Sequence, residues 1–306
     1  LDRCDEIGLL VFEEIPGWQH IGDVEWQRLS LRDVRAMIEH DRNHPAIVLW
    51  GIRINESFDD GDFYTATNHL ARELDPTRQT SGVRFWQQSE FLEDVFGFND
   101  FSDDVMEPEN TPHLVTEFNG HMFPTKTGDH EERQIEHAIR HARIQDKQMG
   151  MPKVTGAIGW CAFDYNTHRD FGSGDRVCYH GVMDMFRLPK WAAAVYASQV
   201  SPTQKIVMQA ATMWTIGDRN AGGNDPVTIF TNCDSVEMFI GEEKHGRYAP
   251  DRITYPNLPH PPIVIANPMN WGQRYQDLHL YGYIGEERVI EQHIEIDGIP
   301  QHIEIG

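Results

Sequence analysis

The sequence predicts an α/β region followed by an all-β region: a parallel sheet of repeated βα units over residues 1–200, then an antiparallel β-sandwich over 201–306. Three observations carry this expectation. The first 200 residues alternate short apolar runs with longer amphipathic stretches, the pattern of βα units in a parallel sheet. After Gln199 the pattern becomes short alternating runs between Gly, Pro and Asn turns. At 306 residues the chain also exceeds the usual size of one hydrophobic core, so one large and one smaller domain are expected.

Six strands are predicted in the first region: GLLVFEE from Gly8, AIVLWGI from Ala46, QTSGVRF from Gln79, DVFGFND from Asp94, HLVTEF from His113 and VTGAIGWCAF from Val154. Several are apolar on both faces, as strands covered on both sides must be. Between them, Ser30 is placed as N-cap of SLRDVRAMIEHDRN, whose Leu31, Val34 and Ile38 share one helical face before Pro45 ends the element. DFYTATNHLAREL and EERQIEHAIRHARIQDKQMG read as two further helices, the second closed by Gly150 and Pro152. PKWAAAVYASQ reads as the last helix of the region. Beyond it, PVTIFTN, SVEMFI, PPIVIAN, DLHLYGYI and RVIEQHIEI read as sandwich strands. The proline-rich YPNLPHPPI is an extended loop or edge segment, since proline cannot serve a central ladder.

Composition narrows the partners. Against 26 Lys and Arg stand 48 Asp and Glu, a formal net charge of -22 that repels nucleic acid and anionic membrane surfaces. A neutral ligand such as a sugar fits this field, although acidity is mostly a solubility trait. Cys4, Cys161, Cys178 and Cys233 are scattered without a CxxC pair, so neither a zinc site nor a disulfide scaffold is indicated. No apolar run reaches the roughly 18 residues of a membrane span and LDRCDEIG does not resemble a signal peptide, so a cytoplasmic location is expected.

The chemistry-bearing signals sit at strand ends. DRNHPAIVLWGIRINES, Asp41 to Ser57, runs from a helix end through a buried strand to Asn55-Glu56 at its C-terminal tip. A carboxylate directly after a buried strand costs free energy unless it is paired or functional, so position alone fits catalysis or a structural ion pair equally. HLVTEFNGH, His113 to His121, is a second apolar strand that ends in a glutamate, Glu117. GWCAFDYNTHRDFGSGD follows the last strand and places Trp160 and Asp164 near its tip. A Trp there either stacks on the C–H face of a sugar or caps the core.

The first of these runs resembles the acid/base signature of glycoside hydrolase family 2, through Asp41, Asn43, His44, Pro45, Trp50, Gly51, Asn55 and Glu56. The second resembles the nucleophile strand of that family, and the third its final barrel strand. The resemblance implies a (β/α)8 TIM barrel followed by an immunoglobulin-like β-sandwich, the latter through TNCDSVEMFIGEE. It implies Glu56 as acid/base and Glu117 as nucleophile of a retaining mechanism, in which two carboxyl groups stand about 5 to 5.5 Å apart. It implies sugar contacts from Asn55 to the 2-OH, and from His121, Trp160 and Asp164. For Asn55 simple turn chemistry is the alternative.

EFNGHMFPTK and the run from Gly156 to Gln199 resemble the β-galactosidase branch, and no Asn-x-Lys pair precedes GVMDMFRLPK where the glucuronidase branch binds a sugar carboxylate. A β-galactoside is therefore the expected carbohydrate substrate. A β-glucuronidase, another β-glycosidase, or a non-catalytic carbohydrate-binding fragment is the alternative. Some members hold Mg2+ through a Glu and a His after the third strand, but Glu13, Glu14 and His20 depart from that spacing, so no metal or other cofactor is assigned. A (β/α)8 barrel needs eight strands, and only six are read here. The first two are expected to be lacking, with a missing N-terminal part of the same polypeptide supplying them. Such open sheet edges leave room for a homo-oligomer as well, and the isolated span is expected to be inactive.

Overall fold

The computed structural model describes residues 1–214, 225–266, 268 and 276–295, with the backbone of 300–305. These residues form two compact units, one of residues 1–118 and 151–159, the other of 119–150 and 160–306. Asn267 and Ile296, the last residues of two runs read as sandwich strands, lie outside the described residues.

The first unit opens with α1 (Asp2–Ile7) and β1 (Val11–Glu14), followed by α2 (Val24–Asp41), β2 (Ile47–Gly51), α3 (Gly61–Leu74), β3 (Gln79–Arg84), β4 (Val95–Asp100) and β5 (His113–Phe118). The chain then makes α4 (Glu131–Met149), part of the second unit, and returns with β6 (Val154–Ala157). The strands pair in parallel and in sequence order, β1-β2-β3-β4-β5-β6, in one sheet; α2, α3 and α4 follow β1, β2 and β5, while β3 to β4 and β4 to β5 connect without an α-helix.

Helix α2 begins at Val24, earlier than the sequence suggests, with Asp23 as its cap accepting from Trp26 N at 3.0 Å. Ser30 is buried inside the helix. The Asp-x-x-Trp start satisfies an orphan N–H about two turns before Ser30, so no break is needed there. Val34 and Ile38 on its inner face pack into a core with Ile47, Trp50, Ile52, Ile54, Phe63 and Tyr64. Burying each such aliphatic side chain contributes about 1.5–3 kcal/mol, more than helix propensity supplies per residue. Several signature residues are tied into this framework. Trp50 Nε1 donates to Asp75 at 3.0 Å, and the His44 Nδ1 lies 2.6 Å from an oxygen of Asp5, whose other oxygen accepts from Ala46 N at 2.8 Å.

Strand β6 stops at Ala157, short of the predicted run to Phe163. The backbone beyond it pairs with residues 180–183 of the second unit: Cys161 N donates to His180 O, Val182 N to Cys161 O, and Asp164 N to Met183 O, at 2.9–3.2 Å. That unit continues with the short pair β7 (Tyr165–Asn166) and β8 (Val177–Cys178), then α5 (Trp191–Ala197), β9 (Met208–Ala210), β10 (Val227–Thr231), β11 (Ser235–Ile240), β12 (Glu243–Tyr248), β13 (Ile263–Ile265), β14 (Leu278–Ile284), β15 (Glu287–Ile294) and β16 (Pro300–Ile305). Two antiparallel sheets result, β13-β10-β9 and β12-β11-β14-β15-β16. Ala210, Val227, Ile229, Ile263 and Ile265 of the first meet Val236, Met238, Ile240, Leu278 and Leu280 of the second in one core, as inward residues of a sandwich must. Helices α4 and α5 pack through small residues, Ala138 and Ala142 against Ala192 and Val195. YPNLPHPPI runs without strand until Ile263, as its prolines require. No described helix is long and apolar enough to cross a membrane.

Candidate active site

In the first unit the chain leaves β2 but keeps its hydrogen bonds to β3: Ile52 N donates to Ser81 O and Glu56 N to Val83 O, both at 3.0 Å. Glu56 has φ of 53°, the left-handed region, which costs a residue with a Cβ roughly 1–2 kcal/mol. Ser57 N donating to Ile54 O at 3.2 Å, and Arg53 Nη2 donating to Ser57 O at 3.2 Å, hold the turn in place. Strain held by surrounding bonds at a carboxylate is a mark of a functional site.

Three donors converge on that carboxylate. Trp18 Nε1 donates to Oε2 at 2.8 Å and Gln19 Nε2 to the same oxygen at 3.3 Å, while Asn99 Nδ2 donates to Oε1 at 2.9 Å. Trp18 and Gln19 come from the loop after β1, which bridges in parallel to Asn55 and sends Gln19 N to Asn55 O at 2.8 Å. Asn99 is 1% exposed at the end of β4, and Thr116 Oγ1 donates to its Oδ1 at 2.8 Å, which turns the Nδ2 toward Glu56. The register pairs Asn99 with Glu117 on β5. Asn55, Glu56, Asn99 and Glu117 thus share one polar cluster at the strand ends of the first unit.

Burial first, then the charge of Glu56 and, less strongly, that of Glu14 together push the Glu117 carboxyl up to about 8, against the amides of Asn99 and Asn55. A carboxyl raised this far favours its protonated form at neutral pH. Glu14 is also held above the ordinary carboxylate range by burial, although much of its surface is open to solvent. Its stem lies across β2 where Gly51 leaves room: a Cβ there would stand 2.4 Å from Glu14 Cγ.

Glu13, Glu14 and His20 do not form a cation site with Glu56. Successive residues of β1 point to opposite faces. Glu13 accordingly faces Asp41, whose charge adds to burial in raising it to about 7, and the His20 ring packs edge-on against Trp26 at 5.8 Å. The donor set for Mg2+ is not assembled, and no step of the chemistry is routed through a metal.

The remaining residues read as sugar contacts lie in the second unit. His121 is exposed, its ring 6.5 Å from that of His180. Trp160 is 37% exposed and donates from Nε1 to the Tyr165 hydroxyl at 3.2 Å. Asp164 is buried, its Oδ1 accepting from Lys190 Nζ at 2.7 Å and Gly181 N at 2.9 Å. Burial raises Asp164 and lowers Lys190 despite their attraction, so desolvation outweighs the pair's Coulomb gain on both sides. This oxygen is engaged internally, a task that the sequence reading of Asp164 as a sugar contact does not anticipate.

Sequence reasoning passed over Trp18, Gln19, Asn99 and Thr116. Asn99 carried a usable signal, because FND ends a fully buried strand in polar residues just as INE and TEF do.

Comparison with known proteins follows the same lines. The family model described as the TIM barrel domain of glycosyl hydrolases family 2 matches residues 1–204. A β-galactosidase of Thermoanaerobacterium thermosulfurigenes is 51% identical over 323 residues, covering 99% of this chain and 45% of the relative. A β-galactosidase of Rhizobium meliloti is 38% identical over 337 residues, covering 100% and 44%. In fold, the structure of β-glucuronidase 3 from Bacteroides uniformis superposes with a TM-score of 0.72 at 23% identity, over 95% of this chain and 42% of that one. The chain spans less than half the length of the curated relatives it matches.

Proposed function

This chain belongs to glycosyl hydrolases family 2, and from that premise we propose that the whole protein hydrolyses terminal β-galactosides with retention of configuration. The observation that carries the proposal is the pair Glu56 and Glu117, joined through Asn99, with burial first and the charge of Glu56 second raising Glu117 to about 8. In this reading Glu117 attacks the anomeric carbon while Glu56 protonates the departing oxygen. The C1–O bond breaks and a galactosyl ester forms on Glu117. Glu56, now ionised, then takes a proton from water as the water attacks C1 and frees Glu117.

Burial and the charge of Glu56 favour a proton on Glu117 before substrate binds, whereas attack requires Glu117 ionised and a proton passed to Glu56. A glycosidic oxygen beside Glu56 favours that transfer, since only the protonated acid can donate to it. Asn55 is proposed to bind the sugar 2-OH. Galactose as the sugar is supported by the identity to β-galactosidases of two organisms. His121, Trp160 and Asp164 remain proposed parts of the sugar site, Asp164 through the segment it holds. Strands β1 and β6 each pair on one side only among the described residues, and a closed barrel needs eight strands. We propose that another part of the polypeptide supplies the rest, so the isolated span is inactive.

The raised Glu117 favours one rival assignment, with the two roles exchanged. Azide distinguishes them in the full-length protein. Under our assignment Glu56→Ala is rescued with a β-configured galactosyl azide as product, because azide intercepts the glycosyl-enzyme. Glu117→Ala would give the α-azide by direct displacement, and Glu117→Gln should be inactive. The reverse pattern of azides exchanges the roles. Near-normal turnover by Glu117→Gln removes the covalent mechanism.

A further inference from the structure

Two residues beyond Glu56, Phe58 leaves 72% of its surface exposed, and two residues beyond Val83, whose carbonyl accepts from Glu56 N, Phe85 leaves 41% exposed. With the half-buried Trp86 they form one ring cluster. Phe85 and Trp86 meet edge-on at 4.6 Å between centroids, Phe58 and Trp86 at 5.7 Å, and Phe58 and Phe85 at 6.1 Å. Exposed aromatic rings gathered beside a catalytic carboxylate are an unspent source of binding free energy.

The loops that carry the rings are tied down from both sides. Behind Phe58, Asp59 accepts from Arg53 Nη2 and Ser89 Oγ, both at 2.6 Å, and from Glu90 N at 3.1 Å. Behind Trp86, the buried Gln87 donates to Glu107 O at 3.1 Å and accepts from Glu109 N at 2.8 Å, and its carbonyl accepts from Asn110 Nδ2 at 3.0 Å. Polar side chains are fastened inward, leaving the aromatic ones presented outward. Such an arrangement loses little conformational entropy when a ligand arrives.

We propose that Phe58, Phe85 and Trp86 form the binding platform for the leaving group, and that it takes a ring with a flat apolar face, whether an aryl group or a second pyranose. This rests on the proposed roles. Glu56 donates its proton to the leaving oxygen, so whatever the substrate carries beyond that oxygen lies on the Glu56 side of the site, where these rings are.

The test compares three substrates in the full-length protein: β-galactosyl fluoride, which has no ring in its leaving group, 4-nitrophenyl β-galactoside, and lactose. Phe58→Ala and Trp86→Ala should lower kcat/KM for the ring-bearing substrates relative to the fluoride by about three- to tenfold each, mainly through KM, with Phe58→Tyr restoring the ratio. Loss on the nitrophenyl galactoside alone defines an aryl platform. Loss on lactose as well defines one for pyranoses, and glucose should then be a poorer acceptor for the galactosyl-enzyme in the variants. An equal fall on all three substrates means that the rings are framework, or are covered by another part of the polypeptide, and overturns the proposal. So does no change on any of them. If the unmodified protein turns over no galactoside, including the fluoride, the reading of function itself fails and the platform falls with it.

Discussion

Replacing Asn99 by alanine isolates the bond that couples the two carboxyl groups. Its Nδ2 donates to Glu56 Oε1 at 2.9 Å and its amide lowers Glu117, so one substitution removes a donor from both carboxyl groups. A hydrogen bond to a charged group contributes about 1.5–3 kcal/mol, which corresponds to roughly 10- to 150-fold in kcat/KM if the bond is needed on the way to the transition state. The sign of the pH effect follows from the same loss. With the Asn99 amide gone the neutral form of Glu117 gains, its pKa rises, and the acid limb of the kcat/KM profile moves to higher pH. Thr116→Val is the companion variant, because it leaves Asn99 in place and removes the hydroxyl that orients it at 2.8 Å. A neutral bond of that kind contributes about 0.5–1.5 kcal/mol, so a smaller loss of about two- to twelvefold is expected. The assay is initial-rate kinetics of the full-length protein on an aryl β-galactoside from pH 5 to 9, with thermal melts to confirm folding. A well-folded Asn99→Ala variant with kcat/KM within about threefold of the parent and an unmoved acid limb would refute the coupling.

Two stability predictions concern the second unit. His137 and His141 on α4 are buried, and burial pushes His141 down to about 3 and His137 well below its ordinary value. Both are neutral when folded, so as pH falls below about 6.5 the unfolded chain binds their protons first. Stability should then drop by up to about 1.4 kcal/mol per pH unit for each, until the folded pKa is reached. Urea melts of the full-length protein at pH 7 and pH 5 should differ accordingly, and His141→Gln should flatten the dependence; equal midpoints at both pH values would contradict this. Lys190→Met leaves the buried Asp164 without its cation and should destabilise by about 3–5 kcal/mol, read by calorimetry, whereas Lys190→Met with Asp164→Leu should recover most of the loss. If the single and double variants melt together, the pair is not what holds this segment.

What the sequence disclosed follows the length scale of each interaction. Strands β2, β4 and β5 were legible from the apolar runs IVLW, VFGF and HLV, each ending where polar residues begin, whereas β3, QTSGVR, is buried but mostly polar. Glu56 and Glu117 stood out as carboxylates where such runs end, and the limits of α4 were marked by Glu131 in its first turn and by Gly150 as its cap. Strand β12 was missed: EKHGRY lies at the edge of its sheet and buries none of its residues, so it has no apolar period to detect. Ser30 was mistaken for a cap because a serine before an apolar period satisfies the local rule, while the true start at Asp23 lies beyond a stretch, VEWQRL, whose periodicity is weaker.

The partners of the catalytic candidates are of another kind. Trp18 reaches Glu56 across 38 residues and Asn99 across 43, and Lys190 reaches Asp164 across 26. No periodicity encodes those meetings, which depend on strand order and on where each loop returns to the sheet. The carboxylate can therefore be found by reading one strand to its end, but what tunes it comes from neighbouring strands. Asn99 is the intermediate case: its strand end was visible, and only the register that pairs it with Glu117 gave the amide a purpose. Strand-end polarity in a parallel sheet thus nominates several residues at once, and their lateral spacing decides which of them act on the same substrate atom.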